Sequence, residues 1–245
     1  MGISMQLSDR LKKVSSLVAL GSRVADIGCD HAYLSIYLVE KGVSPYVIAM
    51  DINQGPVERA RKNIEDYGYK SKIEVRKSDG LKELKSGEVD CLLMAGMGGS
   101  LMLDILSESK DYVVKEIDSI ILQPQSEIEL VRRKLKDFGF LITQEDMVKE
   151  HGKYYVMMRG QRQSIIKNKK TYELTKDEHY RFGRILLEKK HNILYEFLLK
   201  EKDKLKLIHK KLKESPTKSA LIRQEEILST IRLVDDSLEY FHEGE

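Results

Sequence analysis

The first 160 residues alternate short apolar runs with amphipathic stretches. This alternation is typical of βαβ units, and it predicts a largely parallel sheet with helices packed on its faces. The runs predicted as parallel strands cover residues 23–27, 46–50, 72–76, 89–95 and 119–122. Two more strand-like runs, 140–148 and 153–159, flank His151 and Gly152, so we expect an antiparallel hairpin at the end of this region.

Helices fit between and before these strands. Leucine and valine recur at helical spacing over residues 7–18, with Ser8 as the expected capping residue. Pro56 presets the backbone of the first helical turn after the second strand. A further helix is predicted over 126–138, closed by Gly139.

A different pattern begins at Thr175. Thr175 and Glu178 form a capping box, and the following positions predict one long helix to about Lys213, broken by Ser215 and Pro216. A second helix carries apolar residues at steps of four, three, four and three, namely Ile227, Ile231, Val234, Leu238 and Phe241. This spacing is the seam of a coiled coil, so the two helices predict an antiparallel hairpin.

The pattern as a whole predicts an α/β fold with a Rossmann-like domain over 1–160, a linker over 161–174 and a helical coiled-coil domain over 175–245. Composition agrees with a globular chain, at 41% hydrophobic and 33% charged residues. No apolar run approaches the roughly 20 residues that a membrane helix needs, and the N-terminal segment lacks the apolar core of a signal peptide. We therefore expect a cytoplasmic monomer without a membrane partner.

Cysteine is scarce, which limits the chemistry available to the chain. Cys29 and Cys91 are the two cysteines of the sequence. They are too few for a disulfide scaffold or a cysteine-based zinc site, and two free thiols are expected in a reducing compartment. The sequence predicts no metal site.

Charge is distributed unevenly along the chain. Residues 1–160 hold 23 Lys and Arg against 24 Asp and Glu, whereas 162–218 hold 17 against 8. A basic segment beside a near-neutral domain favours a polyanionic partner such as a nucleic acid. The alternative interpretation is a solvated helix face with no partner.

The most informative local signal is the segment from Val24 to Ala32, a strand that runs into a tight turn and then a helix. Such turns lie where open α/β sheets bind ligands. A dinucleotide site would need glycine at Asp30, because a carboxylate there repels a pyrophosphate. S-adenosylmethionine has no phosphate and carries an ammonium and a sulfonium, so carboxylates favour it. The alternative is a turn that binds no nucleotide, with an Asp cap.

Three further strand ends support a nucleoside-type ligand. Asp51 ends the second strand 23 residues after Gly28, a position from which a carboxylate accepts both ribose hydroxyls, and Ile52 follows it. Asp79 with Gly80 follows the third strand, where a carboxylate can accept from an adenine amine, although an ordinary turn is an alternative. The fourth strand ends in Ala95-Gly96-Met97-Gly98-Gly99, whose glycines expose backbone beside a ligand or simply allow tight packing.

The combined motifs resemble the bacterial tRNA (adenine-22-N1)-methyltransferase family, TrmK type. The segments that carry the resemblance are Leu7-Ser8, Arg10-Leu11, Asp26-Ile27-Gly28, Asp30-His31-Ala32-Tyr33-Leu34, Gly96-Met97-Gly98-Gly99, Gln123-Pro124 and Gly152-Lys153. The resemblance implies a class I S-adenosylmethionine-dependent enzyme that methylates N1 of adenine 22 in the D-loop region of tRNA. Two positions differ from the family's pattern and bear on the substrate pocket: Gln125 stands in place of Asn, and His151 in place of an acidic residue.

The candidate cofactor-binding residues are therefore Asp26, Gly28, Asp30, His31, Asp51, Ile52, Asp79, Gly80, Ala95, Gly96 and Met97. The candidate catalytic residues are Asp30, His31 and Arg10. Asp30 is expected to stabilise the cationic methylated adenine or accept its proton, and His31 and Tyr33 to stack on the base or hydrogen-bond to it. Arg10 is expected to clamp a phosphate or the cofactor carboxylate. Packing at the start of a helix, for His31 and Tyr33, and an exposed helix charge, for Arg10, are the alternative interpretations.

Two rival functions stay open at this point. One is a methyltransferase that acts on another RNA base, a small molecule or a protein. The basic C-terminal segment disfavours the small molecule and the protein. The other is a non-catalytic tRNA-binding protein of the same fold. The acidic set Asp26, Asp51 and Asp79 disfavours the second rival, because a protein without turnover does not need it.

Overall fold

The fold is built on one mixed sheet of seven strands. A computed structural model describes residues 5–109, 114–214 and 217–242. The strands are β1 (Val24–Ile27), β2 (Val47–Asp51), β3 (Ile73–Lys77), β4 (Cys91–Ala95), β5 (Ser119–Gln123), β6 (Phe140–Glu150) and β7 (Lys153–Arg162). Their spatial order is β3-β2-β1-β4-β5-β7-β6. Strands β1 to β5 run parallel, and β7 runs antiparallel to both β5 and β6. The predicted parallel sheet and terminal hairpin are confirmed.

The four central strands form the floor of the hydrophobic core. Every residue of β1, β2 and β5 is buried, and so are the first four residues of β4. Burial on both faces explains why these strands are continuous apolar runs rather than alternating ones. In the edge strand β3, by contrast, Ile73 is buried and the four residues after it are partly or fully exposed.

Helices of the first part of the chain pack against this sheet. They are α1 (Asp9–Ser16), α2 (Tyr33–Glu40), α3 (Gln54–Asp66), α4 (Gly99–Ser107) and α5 (Ile128–Lys134). Ser8 caps α1 as predicted, because its Oγ accepts a hydrogen bond from the Leu11 N–H at 3.3 Å. The helix predicted over 126–138 is shorter, since Glu127 adopts a left-handed φ of 48° and a 3₁₀ turn follows α5. Gly139, with φ of 84°, closes that turn.

The described chain divides into two compact units between Glu173 and Leu174. Segment 161–173, which the sequence pattern assigns to a linker, belongs to the first unit, because β7 continues to Arg162 and short 3₁₀ turns follow it. None of the described helices combines the length and the apolar character that crossing a membrane requires.

The second unit is helical, but its first part differs from the prediction. The single helix expected over 175–213 is wrong: a π-helical turn (His179–Gly183) leads into α6 (Arg184–Glu188), and α7 (Asn192–Lys213) starts only after a break. At the break Lys190 has a left-handed φ of 50°. The predicted break at 215–216 lies outside the described residues.

Tertiary contacts explain the altered start of this unit. The buried His179 accepts the Thr175 backbone N–H at 3.3 Å, and its Nε2 lies 3.0 Å from the Tyr240 hydroxyl. Thr175 therefore engages His179, while Glu178 lies 3.5 Å from the Lys176 ammonium. No capping bond between Thr175 and Glu178 occurs among the described contacts, since packing against a distant tyrosine overrides the local signal.

The last two helices form the expected hairpin. Helix α7 packs on α8 (Lys218–His242). The Tyr195 and Phe241 rings lie 5.0 Å apart at one end, and the Gln224 amide donates to the Leu212 carbonyl at 3.1 Å at the other. These two contacts make the pair antiparallel. Its buried seam consists of Leu194, Leu198, Leu205, Ala220, Ile227, Val234 and Leu238.

Candidate active site

A cavity of about 270 Å³ opens at the carboxyl ends of β1 and β4. The sheet reverses its winding between these two strands, because β2 lies on one side of β1 and β4 on the other. Ligands of open α/β sheets bind at such a switch point. The turn after β1, the first turn of α2, the loop after β4, and the side chains of Arg10, Leu11 and Gln125 line the cavity.

The turn after β1 has an unusual backbone. Gly28, Asp30 and Ala32 all have positive φ, at 71°, 48° and 57°. A Cβ added at Gly28 would come within 2.9 Å of the Met97 methyl group, which would have to shift, and the positive φ itself favours glycine at this position. Left-handed non-glycine residues each cost on the order of 1 kcal/mol or more, and such strain concentrates at functional sites.

Asp26 is a buried acid beside this cavity. Its side chain accepts a hydrogen bond from the Ser35 Oγ at 2.6 Å, and 4% of the residue is exposed. Burial, with a contribution from the nearby Asp51 carboxylate, raises the pKa of Asp26 to about 6. Burial among these acids also raises the pKa of the Cys29 thiol, which rules that sulfur out as a ready nucleophile. A cationic ligand group bound here would favour the ionised forms of these acids.

Asp51, the last residue of β2, is oriented by backbone donors. One carboxylate oxygen accepts the Asn53 N–H at 2.9 Å, and the other accepts the Asp30 N–H at 3.4 Å. This contact ties the end of β2 to the strained turn after β1. Ile52 follows with 53% of its surface exposed, which leaves an apolar face beside the acid.

Asp30 and its neighbours form a polar cluster at the mouth of the cavity. The Asp30 carboxylate lies 3.4 Å from the Arg59 guanidinium and 3.6 Å from the His31 Nε2, and its side chain is 63% exposed. The His31 and Tyr33 rings stack with centroids 5.4 Å apart and planes inclined by 8°. The structure thus brings Asp30, His31 and Tyr33 together as an exposed acid beside a flat aromatic pair.

Arg10 reaches the cavity from α1. Its Nη1 donates to the Gln123 Oε1 at the end of β5, and its guanidinium lies 5.5 Å from the centre of the Tyr155 ring. Its backbone N–H donates to the Glu150 carboxylate at 3.2 Å. Contacts with β5, β6 and β7 therefore hold Arg10 in place, and it is not a free helix charge.

The glycine loop, residues 96–99 directly after β4, borders the cavity at its start and is tightly packed at its end. Ala95 and Gly96 line the cavity, and Gly96 has φ of 85°. Gly99 is a packing glycine instead, because a Cβ there would come within 2.6 Å of the Ser126 carbonyl oxygen. Met97 places its methyl group against Gly28.

Asp79 and Gly80 lie apart from the cavity lining. They border a separate small pocket with Ile105, and the Lys82 ammonium contacts the Asp79 carboxylate. That contact raises the pKa of Lys82. Asp79 and Gly80 therefore lie outside the lining of the larger cavity, as do Asp51, Ile52 and Met97.

Sequence reasoning missed several residues that the structure places at the site. Arg59 contacts Asp30, and the Asn63 amide donates to the His31 carbonyl at 2.9 Å, both from α3. Ser35 holds Asp26. Gln125, which the resemblance already connected with the substrate pocket, lines the cavity. A signal existed for Arg59 and Asn63 alone, since residues four apart share one face of a helix. Within the described ranges, no group of three or more His, Cys, Asp or Glu side chains could hold a metal ion.

Comparison with known proteins places this site in a family. The sequence profile of the methyltransferase domain family matches residues 7–158. The tRNA (adenine(22)-N(1))-methyltransferase of Bacillus subtilis is 37% identical over 154 residues, which cover 63% of this chain and 64% of that protein. The aligned region therefore spans less than two thirds of this relative's length.

Solved structures extend the likeness over nearly the whole chain. The B. subtilis m1A22 tRNA methyltransferase TrmK superposes with a TM-score of 0.84 at 28% identity, covering 96% of this chain and 100% of that one. Streptococcus pneumoniae Sp1610 in complex with S-adenosyl-L-methionine superposes with a TM-score of 0.82 at 31% identity, covering 95% and 100%. On these grounds the chain belongs to the methyltransferase domain family and, within it, to the bacterial tRNA (m1A22) methyltransferases of the TrmK type.

Proposed function

We propose that this protein transfers the methyl group of S-adenosylmethionine to N1 of adenine 22 in tRNA, as a monomer in the cytoplasm. The observation that carries the proposal is the acid-lined cavity at the carboxyl ends of β1 and β4, in a chain of this family. The sulfonium and ammonium groups of the cofactor are cations. Asp26 and Asp30 line that cavity, and Asp51 accepts the backbone N–H of Asp30.

The residues of the chain fit the cofactor in chemical terms. Asp26 supplies a buried carboxyl that a cation would keep ionised. Asp51 presents a carboxylate held by two backbone N–H groups at the end of β2, where ribose hydroxyls are bound in this kind of fold. Ile52 offers an exposed apolar face for an adenine ring, and Gly28, Ala95, Gly96 and Met97 leave backbone and thioether surface around it.

The reaction needs little covalent help from the protein. When bound, S-adenosylmethionine supplies an electrophilic methyl carbon, and its sulfur keeps the bonding electron pair as the neutral thioether leaves. Adenine N1 attacks with its own lone pair, so no serine or cysteine nucleophile is required, and alignment and electrostatics suffice. The Asp30 carboxylate is placed to stabilise the cationic product or to accept a proton from it, while His31 and Tyr33 offer a flat surface for the base.

For the second unit we propose a tRNA-binding role. Its basic side chains include a stretch of lysines, namely Lys189, Lys190, Lys200, Lys202, Lys204, Lys206, Lys210 and Lys211. Three of them are already paired, Lys200 with Glu196, Lys202 with Asp235 and Lys204 with Glu201. Lys206, Lys210 and Lys211 are exposed and make no ion pair among the described residues, so they are the better candidates for phosphate contacts.

The test is methyl transfer to an unmodified tRNA transcript, followed by mass spectrometry of its nucleosides and mapping of the modified position. We expect 1-methyladenosine at position 22, and no product from a transcript that carries guanine there. Methylation of another nucleotide would support the rival methyltransferase. Cofactor and tRNA binding without any product would support the non-catalytic rival.

A further inference from the structure

Gln125 faces the cavity opposite the end of β4. Its backbone N–H donates to the Met97 carbonyl at 2.9 Å. Its side-chain Nε2 lies 3.6 Å from the point that a Cβ on Gly96 would occupy, and the Arg10 Nη1 lies 3.7 Å from the same point. Gln125 and Arg10 therefore flank Gly96, over the open part of the glycine loop.

The loop that carries Gln125 is held firmly against the glycine loop. The Ser126 carbonyl packs where a Cβ of Gly99 would lie. The Glu127 carboxylate accepts hydrogen bonds from the Ser126 Oγ and from the Ser100 N–H, at 2.5 and 3.4 Å. These contacts connect the segments after β4 and β5, so the position of Gln125 is set before any ligand arrives.

Gln125 is also the one amide among the side chains that line this cavity in the described structure. Three other polar side chains of the lining already have partners: Arg10 donates to Gln123, Asp26 accepts from Ser35, and Asp30 pairs with Arg59. The Gln125 amide has no hydrogen-bond partner within the described residues. It offers a neutral acceptor and a neutral donor side by side.

Adenine presents the matching pair on one edge. Its N6 amine donates and its N7 accepts, and a glutamine or asparagine amide pairs with both at once. Guanine has two acceptors on that edge, O6 and N7, and cannot form the same pair. A contact at N6 and N7 leaves the N1 lone pair free to form the new bond to carbon.

We propose that Gln125 is a specificity-determining residue that recognises the N6 and N7 edge of the target adenine, an inference that rests on the proposed function. The contact also assists the reaction. As N1 gains the methyl group, positive charge spreads onto the N6 amine, and the bond from N6 to the Gln125 Oε1 strengthens. An interaction that grows towards the transition state raises kcat, not affinity alone.

The test compares tRNA transcripts carrying adenosine or 7-deazaadenosine at position 22, in which a C–H group replaces N7. For the wild-type protein, we expect loss of N7 to lower kcat/KM by about threefold to tenfold, the effect of one hydrogen bond. Gln125→Ala should lower kcat/KM on adenosine by about tenfold or more through loss of both bonds, and it should show no further loss on 7-deazaadenosine.

Gln125→Glu should distinguish the adenosine transcript from the 7-deazaadenosine transcript more clearly than Gln125→Ala. Its carboxylate still accepts from N6 but repels the N7 lone pair, so this variant should work better on 7-deazaadenosine than on adenosine. The matched control is Gln144→Ala, which changes an exposed glutamine on β6. It should keep the wild-type ratio of kcat/KM on adenosine to kcat/KM on 7-deazaadenosine. The KM for S-adenosylmethionine and the Tm should stay unchanged in all three variants.

Two results would overturn the inference. If 7-deazaadenosine lowers kcat/KM equally in the wild type and in Gln125→Ala, a group other than Gln125 contacts N7. If it does not lower kcat/KM in the wild type, no group of the protein recognises N7. Absence of methyl transfer by the wild type to adenosine is a different result, because it contradicts the proposed function itself.

Discussion

At the scale of single residues, Asp26 lowers the stability of the folded protein at neutral pH, because its carboxyl is buried. Its pKa is raised to about 6 by burial, from 3.8 in an unfolded chain. A carboxyl whose pKa is raised on folding contributes stability below its unfolded pKa, and that contribution is lost as the pH rises through the folded pKa. The cost of ionising Asp26 therefore develops between pH 3.8 and about 6, and it is fully present at neutral pH.

The variant Asp26→Asn should remove this cost. We expect its free energy of unfolding, relative to the wild type, to increase by about 1 kcal/mol between pH 5 and pH 7.5, because the pKa of Asp26 in the folded protein lies within this range. Chemical denaturation at the two pH values measures the difference. The same variant should bind S-adenosylmethionine more weakly. A stability difference independent of pH would contradict the assignment.

Asp30 differs from Asp26 because it is exposed, and the role that we propose for it comes late in the reaction. We expect Asp30→Asn to fold normally and to lower kcat by about tenfold to a hundredfold, while the Kd for S-adenosylmethionine changes little. Single-turnover kinetics and calorimetry separate the two quantities. Equal losses in both would indicate a cofactor-binding role, and unchanged turnover would reduce Asp30 to a turn-forming residue.

At the scale of elements, α3 supports the strained turn from one face. Asn63 and Arg59 lie one helical turn apart, and they contact the His31 carbonyl and the Asp30 carboxylate. The turn they hold has left-handed φ at Asp30 and Ala32. Strain of this kind persists only where neighbouring contacts maintain it.

We therefore expect Asn63→Ala to lower stability by about 1 kcal/mol, through loss of one hydrogen bond, and to lower kcat more than it raises the KM for the cofactor. Thermal denaturation and steady-state kinetics measure both effects. Lys62→Ala, on the exposed side of the same helix, is the control and should change neither. Equal effects of the two variants would show that α3 needs no specific contact with the turn.

At the scale of the whole molecule, the division of charge predicts how tRNA binding depends on salt. Changing Lys206, Lys210 and Lys211 together to Gln should weaken tRNA binding and reduce the slope of log K against log salt by roughly one unit per lost phosphate contact. Affinity for S-adenosylmethionine should stay unchanged, since the residues assigned to that site lie in the first unit.

A salt series on the full-length protein measures this slope. Glu225→Gln, which removes an exposed negative charge from α8, is the control and should not weaken binding. The alternative role for the hairpin is self-association. A wild-type dimer in sedimentation that the triple variant dissociates, with an unchanged salt slope, would support that alternative.

Prediction from sequence succeeded where local pattern is decisive. Buried parallel strands need continuous apolar runs, and the seam of α7 and α8 needs heptad spacing, so both are visible without coordinates. It failed over 175–213, where the contact of His179 with Tyr240, 61 residues away, replaces an expected helix cap. The assignment of Asp79 to the cofactor site stays a prediction, and that residue borders a different pocket.

Residue type and spacing over a few turns or strands were enough to predict the strands, the coiled-coil hairpin, the acids at the strand ends and the family to which the motifs point. Which side chains meet became visible with the three-dimensional fold: Arg10 reaches Gln123 across 113 residues, Arg59 reaches Asp30 across 29, and Gln125 faces Gly96. These contacts depend on strand order and loop packing, which no local pattern specifies.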